Sequence, residues 1–385
     1  MKKIGKILLI TVLAIILFWV IWANFDFKSK LPSINPEISN VSQIHCDDCE
    51  NTNDTTLNKN IVGIQPYMIE TDYLSESQFL AKMDAYFKIS QENGFFKKNT
   101  IVLLPEYLGT WLIIADEKRS VANAGNLTWA MAQLVLSNPI EFYRYYKISD
   151  KESDRLAAAL FRMKSEKIAS IYQNVFSQLS KKYQVHVVAG SILLPGPEVK
   201  NGILKVDTKA PIYNTSFVFT PNGDLFTQPV KKAFLTESEQ PFVTASPTSD
   251  IPTFNLPFGK IGVLVCADSW YPEPYQAIQG VDLVLVNSYF AGDGDMSAAW
   301  PGYDGSTPPI DVNLKDIGFI NERQAWEKYA LPGRIEISGA KTGVNIFLRG
   351  QLWDLGTDGQ PFFIREGKLL EFEEAEKGGI WNFEY

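Results

Sequence analysis

Residues 261–275 read IGVLVCADSWYPEPY, the most informative stretch of the sequence. Its apolar start, IGVLV, precedes Cys266, and a short β-branched run of this kind predicts a buried strand. Asp268 and the Pro272-Glu273 pair follow, and proline with an acid in the first turn is typical of a helix start. The thiol is therefore expected between a strand end and a helix N-terminus, where the backbone dipole favours thiolate. The alternative of an inert core cysteine stays open on this stretch alone.

The composition narrows the chemistry that the chain can perform. Of its 385 residues, 45% are hydrophobic and 13% aromatic, which is ample for a large core. A net charge of −8, without a basic stripe, argues against nucleic acid as a partner. The two histidines, His45 and His186, leave little material for a Cys-His pair or a histidine-rich metal site. We therefore expect no metal and no cofactor, and a carboxylate as the base if Cys266 is a nucleophile.

Residues 7–23 are apolar and uncharged, and lysines precede them. Their number is near the short end of the roughly 17–25 residues that span a bilayer. A cleaved signal peptide is the alternative, but Trp19 and Trp22 stand where small residues would mark a cleavage site. Residues 1–25 are therefore interpreted as an anchor or signal segment, with an uncleaved anchor favoured. The preceding lysines favour a cytoplasmic N-terminus, with the rest of the chain on the extracytoplasmic side.

Residues 26–60 are rich in Ser, Asn, Asp and Thr, and they are interpreted as a polar tether. Cys46 and Cys49 lie within it in the sequence HCDDC. Their spacing suits a redox pair or half a metal site, but no second pair with this spacing exists. A disulfide in an exported tether is the expected state. The folded domain is predicted to cover residues 61–385.

From residue 61 onward, strand patterns alternate with helical ones. Residues 61–68 (IVGIQPYM) and 101–107 (IVLLPEY) predict strands, and residues 75–93 predict an amphipathic helix between them. A Pro-Asn-Gly turn at 221–223 predicts a hairpin. This alternation predicts a mixed α/β sheet covered by helices.

The spacing around the cysteine resembles a known family. Cys266, Asp268, Pro272 and Glu273 fit the pattern C-x-D-x-x-x-P-E, which resembles the nucleophile motif of the nitrilase superfamily of carbon-nitrogen hydrolases. Members of that family carry a glutamate, a lysine and a cysteine in that chain order.

The other two family residues have candidates in the same order. The Pro-Glu that ends IVLLPEY resembles the general-base segment and points to Glu106. Lys232 is followed by Ala-Phe-Leu, as in the family's lysine segment, which favours it over Lys231. Glu239 is preferred to Glu237 as the second glutamate that many members carry after the lysine.

The resemblance implies a fold and a mechanism. The fold is the four-layer α-β-β-α sandwich, here preceded by one N-terminal transmembrane helix. The reaction is hydrolysis of a non-peptide amide, with Cys266 as nucleophile, Glu106 as base and Lys232 as oxyanion partner. The backbone N–H of Ala267 is the expected second oxyanion donor. Asp268 either supports the site or caps the following helix, and Cys-Ala-Asp in place of the nitrilases' Cys-Trp-Glu favours amides over nitriles.

Alternatives and partners complete the expectations. An N-acyltransferase would pass the acyl group to an amine, and an inactive scaffold would act as a surface binding protein. The family commonly forms homodimers.

Residues 107–146 are rich in Trp, Leu, Ile, Phe and Tyr. They are predicted to form a lid that selects an amide with an apolar acyl chain, with an ordinary core helix as the alternative.

Overall fold

A computed structural model describes residues 2–24, 33–46, 59–290 and 296–385. Over these ranges the helices are α1 (Lys2–Asn24), α2 (Glu76–Glu92), α3 (Arg119–Ala122), α4 (Leu127–Ser137), α5 (Pro139–Ile148), α6 (Arg155–Tyr183), α7 (Pro272–Ala277), α8 (Glu322–Tyr329) and α9 (Leu331–Arg334). The strands are β1 (Ile38–Ile44), β2 (Lys59–Gln65), β3 (Tyr67–Ile69), β4 (Asn99–Leu103), β5 (His186–Pro195), β6 (Glu198–Lys200), β7 (Ile203–Lys205), β8 (Ile212–Phe219), β9 (Val230–Lys231), β10 (Thr253–Leu256), β11 (Gly259–Val265), β12 (Leu283–Ser288), β13 (Thr342–Phe347), β14 (Arg349–Leu352), β15 (Leu355–Thr357), β16 (Phe362–Arg365), β17 (Lys368–Leu369) and β18 (Gly378–Glu384).

Two large sheets face each other across an apolar core. One has the strand order β1-β18-β2-β4-β5-β8-β9 and the other β10-β11-β12-β13-β16-β17. Successive side chains of a strand point to opposite faces. Accordingly, Ile61 and Ile101 pack into the core shared with the second sheet, whereas Val62 and Val102 pack with α2 and α6. Helices α7, α8 and α9 cover the second sheet. This confirms the expected α-β-β-α layering.

The parallel strands at the centre of each sheet fix where a site can lie. In the first sheet β2, β4 and β5 run parallel, and in the second β11, β12 and β13 do. Carboxyl ends of parallel strands meet at one edge, where ligands bind in open α/β sheets. Glu106 follows β4, Cys266 follows β11 and Tyr289 follows β12, so the chain delivers all three to such edges.

The predicted tether needs correction within residues 26–60. Strand β1 pairs in parallel with β18 at the edge of the seven-stranded sheet, and β2 begins before residue 61. Lys82 Nζ also donates to the carbonyl of Asn35 at 2.7 Å. The ISNVSQI sequence of β1 has few apolar residues because an edge strand buries little of its surface. Cys46 takes part in a disulfide, and Cys49 lies outside the described residues.

Helix α1 stands apart from the layered domain. Its apolar stretch Lys3–Ala23 is long and apolar enough to cross a membrane, and none of it is buried. It touches the domain at α4, where Trp19 Nε1 donates to the carbonyl of Leu136 at 2.7 Å. The helix is thus a candidate membrane span by length and composition.

Candidate active site

Glu106 lies in the loop after β4, which packs closely against the end of β12 and against β5. Its backbone N–H donates to the carbonyl of Ser288, at the end of β12, at 3.3 Å. Strand β5 is bulged beside it, and Gly190 lies in the bulge with φ +73°. A Cβ on Gly190 would lie 2.2 Å from the carbonyl oxygen of Pro105. Glycine is therefore required here for the Pro-Glu loop to pack against β5.

Lys232 directly follows β9 and lies between two buried carboxylates. Its Nζ donates to Glu106 Oε1 at 2.8 Å and to Glu239 Oε2 at 2.7 Å. The side-chain amide of Asn214 donates to both carboxylates, at 2.8 Å each. The exposed fractions of the Lys232, Glu106 and Glu239 side chains are 1%, 1% and 2%. Lys231 instead lies over a tyrosine ring, 4.4 Å from its centroid. The structure thus joins Lys232, not Lys231, to Glu106.

Cys266 begins the turn that follows β11. Its φ of +47° lies in the left-handed region, which costs a non-glycine residue about 1–3 kcal/mol. The thiol donates to the carbonyl of Tyr289 at 3.5 Å, and the Glu106 carboxylate lies close enough for its charge to act on the sulfur. The turn therefore holds the sulfur against its neighbouring carboxylate at the expense of backbone strain.

The charge state of the cysteine differs from the sequence expectation. Burial and the negative charge of Glu106 raise the pKa of Cys266 well above its usual value. The helical segment after the cysteine, Cys266–Trp270, is a single short 3-10 turn and supplies little dipole. The resting group is a thiol, so its activation requires a base.

The pKa values of the two carboxylates beside Lys232 are shifted in opposite directions. Burial raises the pKa of Glu106, and the nearby charge of Glu239 adds to that effect. Burial also acts on Glu239, but Lys232 and hydrogen bonds from Tyr107 and Thr236 lower its pKa overall. Burial alone would lower the pKa of Lys232, but Glu106 and Glu239 raise it well above its usual value. Glu239 thus stays ionised, while Glu106 is adapted to exchange a proton.

Asp268 ties two parts of the site together. Its Oδ1 accepts from the backbone N–H groups of Ala233 and Phe234 at 2.9 and 2.8 Å, just after Lys232. Its Oδ2 accepts from the N–H of Val265 at 3.3 Å, so it also caps the turn that carries the cysteine. Burial raises the pKa of Asp268 to about 7, although its N–H donors oppose that shift.

A cavity of about 640 Å³ opens onto these groups. Glu106, Lys232, Cys266 and Ala267 line it. Seven aromatic residues of the remaining wall come from the turn after Cys266, the loop after β12, and α8: Trp270, Tyr271, Tyr289, Phe290, Trp300, Tyr303 and Trp326.

The prediction that residues 107–146 form a lid over the site is wrong for the cavity that the structure describes. Tyr107 is the one residue of that segment among the described cavity lining. Residues 298–304 of the loop after β12 line the cavity instead. The inner side of the segment, including Trp111 and Leu134, is buried in the core, as the alternative of an ordinary core element had it.

Sequence reasoning missed two polar residues of the site. Asn214 lies in β8 and binds both carboxylates, and Tyr107 donates to Glu239 Oε1 at 2.6 Å. A polar asparagine inside an otherwise apolar strand, IYNTSFVF, was the available signal for the first. Glu237, the rejected alternative to Glu239, is exposed.

Comparisons with known proteins give a family match and several similar proteins. The sequence model of the family described as carbon-nitrogen hydrolase matches residues 73–301. A probable nitrilase of Schizosaccharomyces pombe is 29% identical over 143 residues, covering 36% of this chain and 48% of that protein. Omega-amidase NIT2 of Danio rerio is 29% identical over 187 residues, covering 46% of this chain and 57% of that protein. The chain thus spans about half the length of the curated relatives it matches.

A solved structure shares the fold. An amidase from Nesterenkonia sp. superposes with a TM-score of 0.51 and 14% identity, covering 85% of this chain and 90% of that chain. At this identity the likeness shows the fold alone.

Proposed function

The chain belongs to the carbon-nitrogen hydrolase family, and we propose that it hydrolyses a non-peptide amide through a thioester on Cys266. Its similarity to nitrilases and amidases supports amide hydrolysis in general. One observation carries the finer proposal. A buried ammonium, Lys232, bridges Glu106 and Glu239, whose pKa values are shifted up and down respectively, and Cys266 lines the same cavity as Glu106, the carboxylate with the raised pKa.

In the acylation half-reaction, Glu106 takes the thiol proton as the sulfur attacks the amide carbon. The carbonyl oxygen becomes an oxyanion. An ammonium has three donors, and Lys232 uses two of them on Glu106 and Glu239, so the third is free for this oxyanion. The backbone N–H of Ala267 is the proposed second donor. Glu106 then gives its proton to the leaving nitrogen, the carbon–nitrogen bond breaks, and a thioester and a free amine remain.

The deacylation half-reaction uses the same groups in the same roles. Glu106 takes a proton from water, whose oxygen attacks the thioester carbon. The second oxyanion collapses with cleavage of the carbon–sulfur bond, and Glu106 returns the proton to sulfur. The products are a carboxylic acid and the resting thiol. Neither an N-acyltransferase nor an inactive scaffold is favoured by any comparison described above.

We also propose that α1 anchors the chain, with the catalytic domain on the extracytoplasmic side. Two observations support this placement: the exposed apolar helix and the disulfide at Cys46, which suits an oxidising compartment. Labelling of an introduced surface cysteine in intact cells with an impermeant maleimide tests the orientation. Labelling only after lysis would place the domain inside.

Acyl-enzyme trapping tests the catalytic proposal. The full chain in detergent is mixed with a panel of small amides, quenched in acid and measured by intact mass. We expect an adduct of the acyl mass on Cys266, and neither adduct nor turnover in Cys266→Ala. A matched thermal unfolding curve shows that the variant is folded. Turnover that persists in a folded Cys266→Ala variant would refute the mechanism.

A further inference from the structure

The cavity carries a second cluster of side chains that the proposed reaction does not use. Trp270, four residues after Cys266, packs against Trp326 with ring centroids 4.8 Å apart. It also lies 5.9 Å from Trp300 and 5.5 Å from Tyr303. These four rings and Glu322, on the same wall, form what we call the aromatic subsite.

Glu322 is the unusual member of this subsite. Its exposed fraction is 9%, and its backbone N–H donates to the carbonyl of Ala298 at 2.9 Å. Within the described ranges its carboxylate has neither a hydrogen bond nor an ion pair, although every other buried carboxylate at the site has donors. The neighbouring Arg323 binds Glu327 at 3.2 Å rather than Glu322.

Helix capping does not explain this carboxylate. Asn321 already caps α8, accepting from the N–H of Gln324, while the Gln324 side chain bonds back to Asn321. An exposed acid would serve the helix dipole equally well without the cost of burial. Burial raises the pKa of Glu322 to about 7, and no neighbouring charge opposes that shift. A charged carboxylate is costly to bury at this position without a group of opposite charge beside it.

The charged residues of the cavity indicate which charge a group bound beside Glu322 would carry. Lys232 is the one basic side chain among the described cavity residues, and both its neighbours there are carboxylates. Asp304, also on the wall, adds further negative charge. A substrate carboxylate would meet Lys232, which Glu106 and Glu239 already pair, whereas an ammonium or guanidinium would meet Glu322 and the aromatic rings that line the same cavity, and aromatic rings attract cations.

We infer that the aromatic subsite binds a cationic group of the substrate, an amine or guanidinium linked by an apolar chain to the scissile amide, with Glu322 as its counter-charge. This inference rests on the proposed function for the identity of the scissile bond. Binding of the cation itself does not depend on catalysis. It also gives the expected apolar acyl chain a place, as the linker that crosses the aromatic wall.

Three amides of similar length test the inference: 6-aminohexanamide, its neutral counterpart heptanamide, and the anionic monoamide of adipic acid. Their Kd values are measured by calorimetry on the full-length Cys266→Ala protein in detergent. We expect the cationic amide to bind most tightly and the anionic one most weakly. Adding Glu322→Gln should lower the preference for 6-aminohexanamide over heptanamide about tenfold or more. Glu327→Gln, the same change on the same helix outside the cavity, should leave that ratio unchanged.

The outcomes separate this inference from the proposed function. Tighter binding of heptanamide than of 6-aminohexanamide by the chain with Glu322 intact would overturn the inference, and this comparison does not depend on the Glu322 variant being folded. An unchanged ratio in a folded Glu322→Gln variant would overturn it as well. If the protein with Cys266 hydrolyses heptanamide without a preference for the cation, the proposed function stands and the inference falls. If the cation binds as expected but none of the three amides is hydrolysed, the inference stands and the proposed function falls.

Discussion

Two regions of the molecule are rich in aromatic residues and face opposite environments. The cavity wall around Trp270 and Trp300 encloses the buried Glu106, Lys232 and Cys266. Helices α4 and α5, reached from Glu106 through the segment 107–126, have a buried inner side and an outer face on which apolar side chains are exposed among charged ones. The exposed residues of that face include Trp129, Leu136, Ile140 and Tyr143. Aromatic content alone therefore does not show which region meets the substrate.

Topology explains the difference. The cavity wall follows the carboxyl ends of β11 and β12, so its rings converge on the edge where Glu106 also emerges. The segment after Glu106 turns away from that edge at once, because Tyr107 adopts φ +60° and its hydroxyl binds Glu239. The chain then packs into the core through residues 108–115 before it reaches α4, which contacts α1. We expect substitutions in the first region to alter chemistry and those in the second to alter only membrane contact.

The largest effect should come from the base. Glu106→Gln keeps the shape but cannot take the thiol proton, so turnover should fall about 10²–10⁴-fold. In the unsubstituted enzyme the rate should rise with pH as Glu106 loses its proton. Because burial raises the pKa of Glu106, that rise should lie above the ordinary carboxyl range near ~4.3. The pH profile of the rate checks both points. A substitution on the outer face of α5, Tyr143→Ser, should leave turnover within about twofold. A loss there comparable to that of Glu106→Gln would mean that the outer face also affects the chemistry.

Lys232→Met should have the next largest effect. It removes the charge that faces the oxyanion and leaves Glu106 and Glu239 without their shared cation. Loss of one oxyanion donor lowers turnover roughly 10²–10³-fold. Single-turnover kinetics should show the loss in acylation. The adjacent Lys231→Met is the matched control, and a larger loss there would mean that the site uses the other lysine.

Asp268→Asn should have a smaller effect on both stability and rate. An asparagine oxygen can still accept from Ala233 and Phe234, but its NH₂ then faces the N–H of Val265. One buried donor without an acceptor costs about 1–3 kcal/mol, so the melting temperature should fall, and turnover about tenfold. The control Asp250→Asn, at an exposed position, should change neither the melting temperature nor turnover. Unchanged melting in Asp268→Asn would show that the tie between the two loops is dispensable.

The catalytic candidates were predictable because each has local sequence context. Cys266 follows an apolar strand within a spaced motif, Glu106 ends a strand, and the residues after Lys232 fix its register. Glu322 has no such context. Its burial depends on a loop and a helix that pack against it only in the folded chain, and a helix-start acid is ordinarily exposed.

Strand β1 was not predicted because its sequence also lacks local signals. Its polar ISNVSQI sequence has no clear alternation, and its pairing partner, β18, lies at the far end of the chain. Edge strands are defined by backbone pairing rather than by buried side chains. A polar composition typical of a tether is therefore compatible with a strand when a sheet edge formed by a distant part of the chain is available for pairing.

The last prediction concerns the outer face of α4 and α5, which we expect to rest at the headgroup level of the bilayer that α1 is proposed to span. Ile140 is 84% exposed, and Trp19 of α1 binds the carbonyl of Leu136 nearby. Apolar residues exposed this close to the proposed anchor suit the interface between headgroups and lipid tails. Ile140→Cys, in a Cys266→Ala background, is labelled with an environment-sensitive fluorophore and reconstituted as the full chain in vesicles. Nitroxide groups on lipid heads should quench the label at 140, and should spare a label at Ile310, an equally bare apolar position on the loop after β12. Equal quenching at the two positions, or none at 140, would mean that this face points to water.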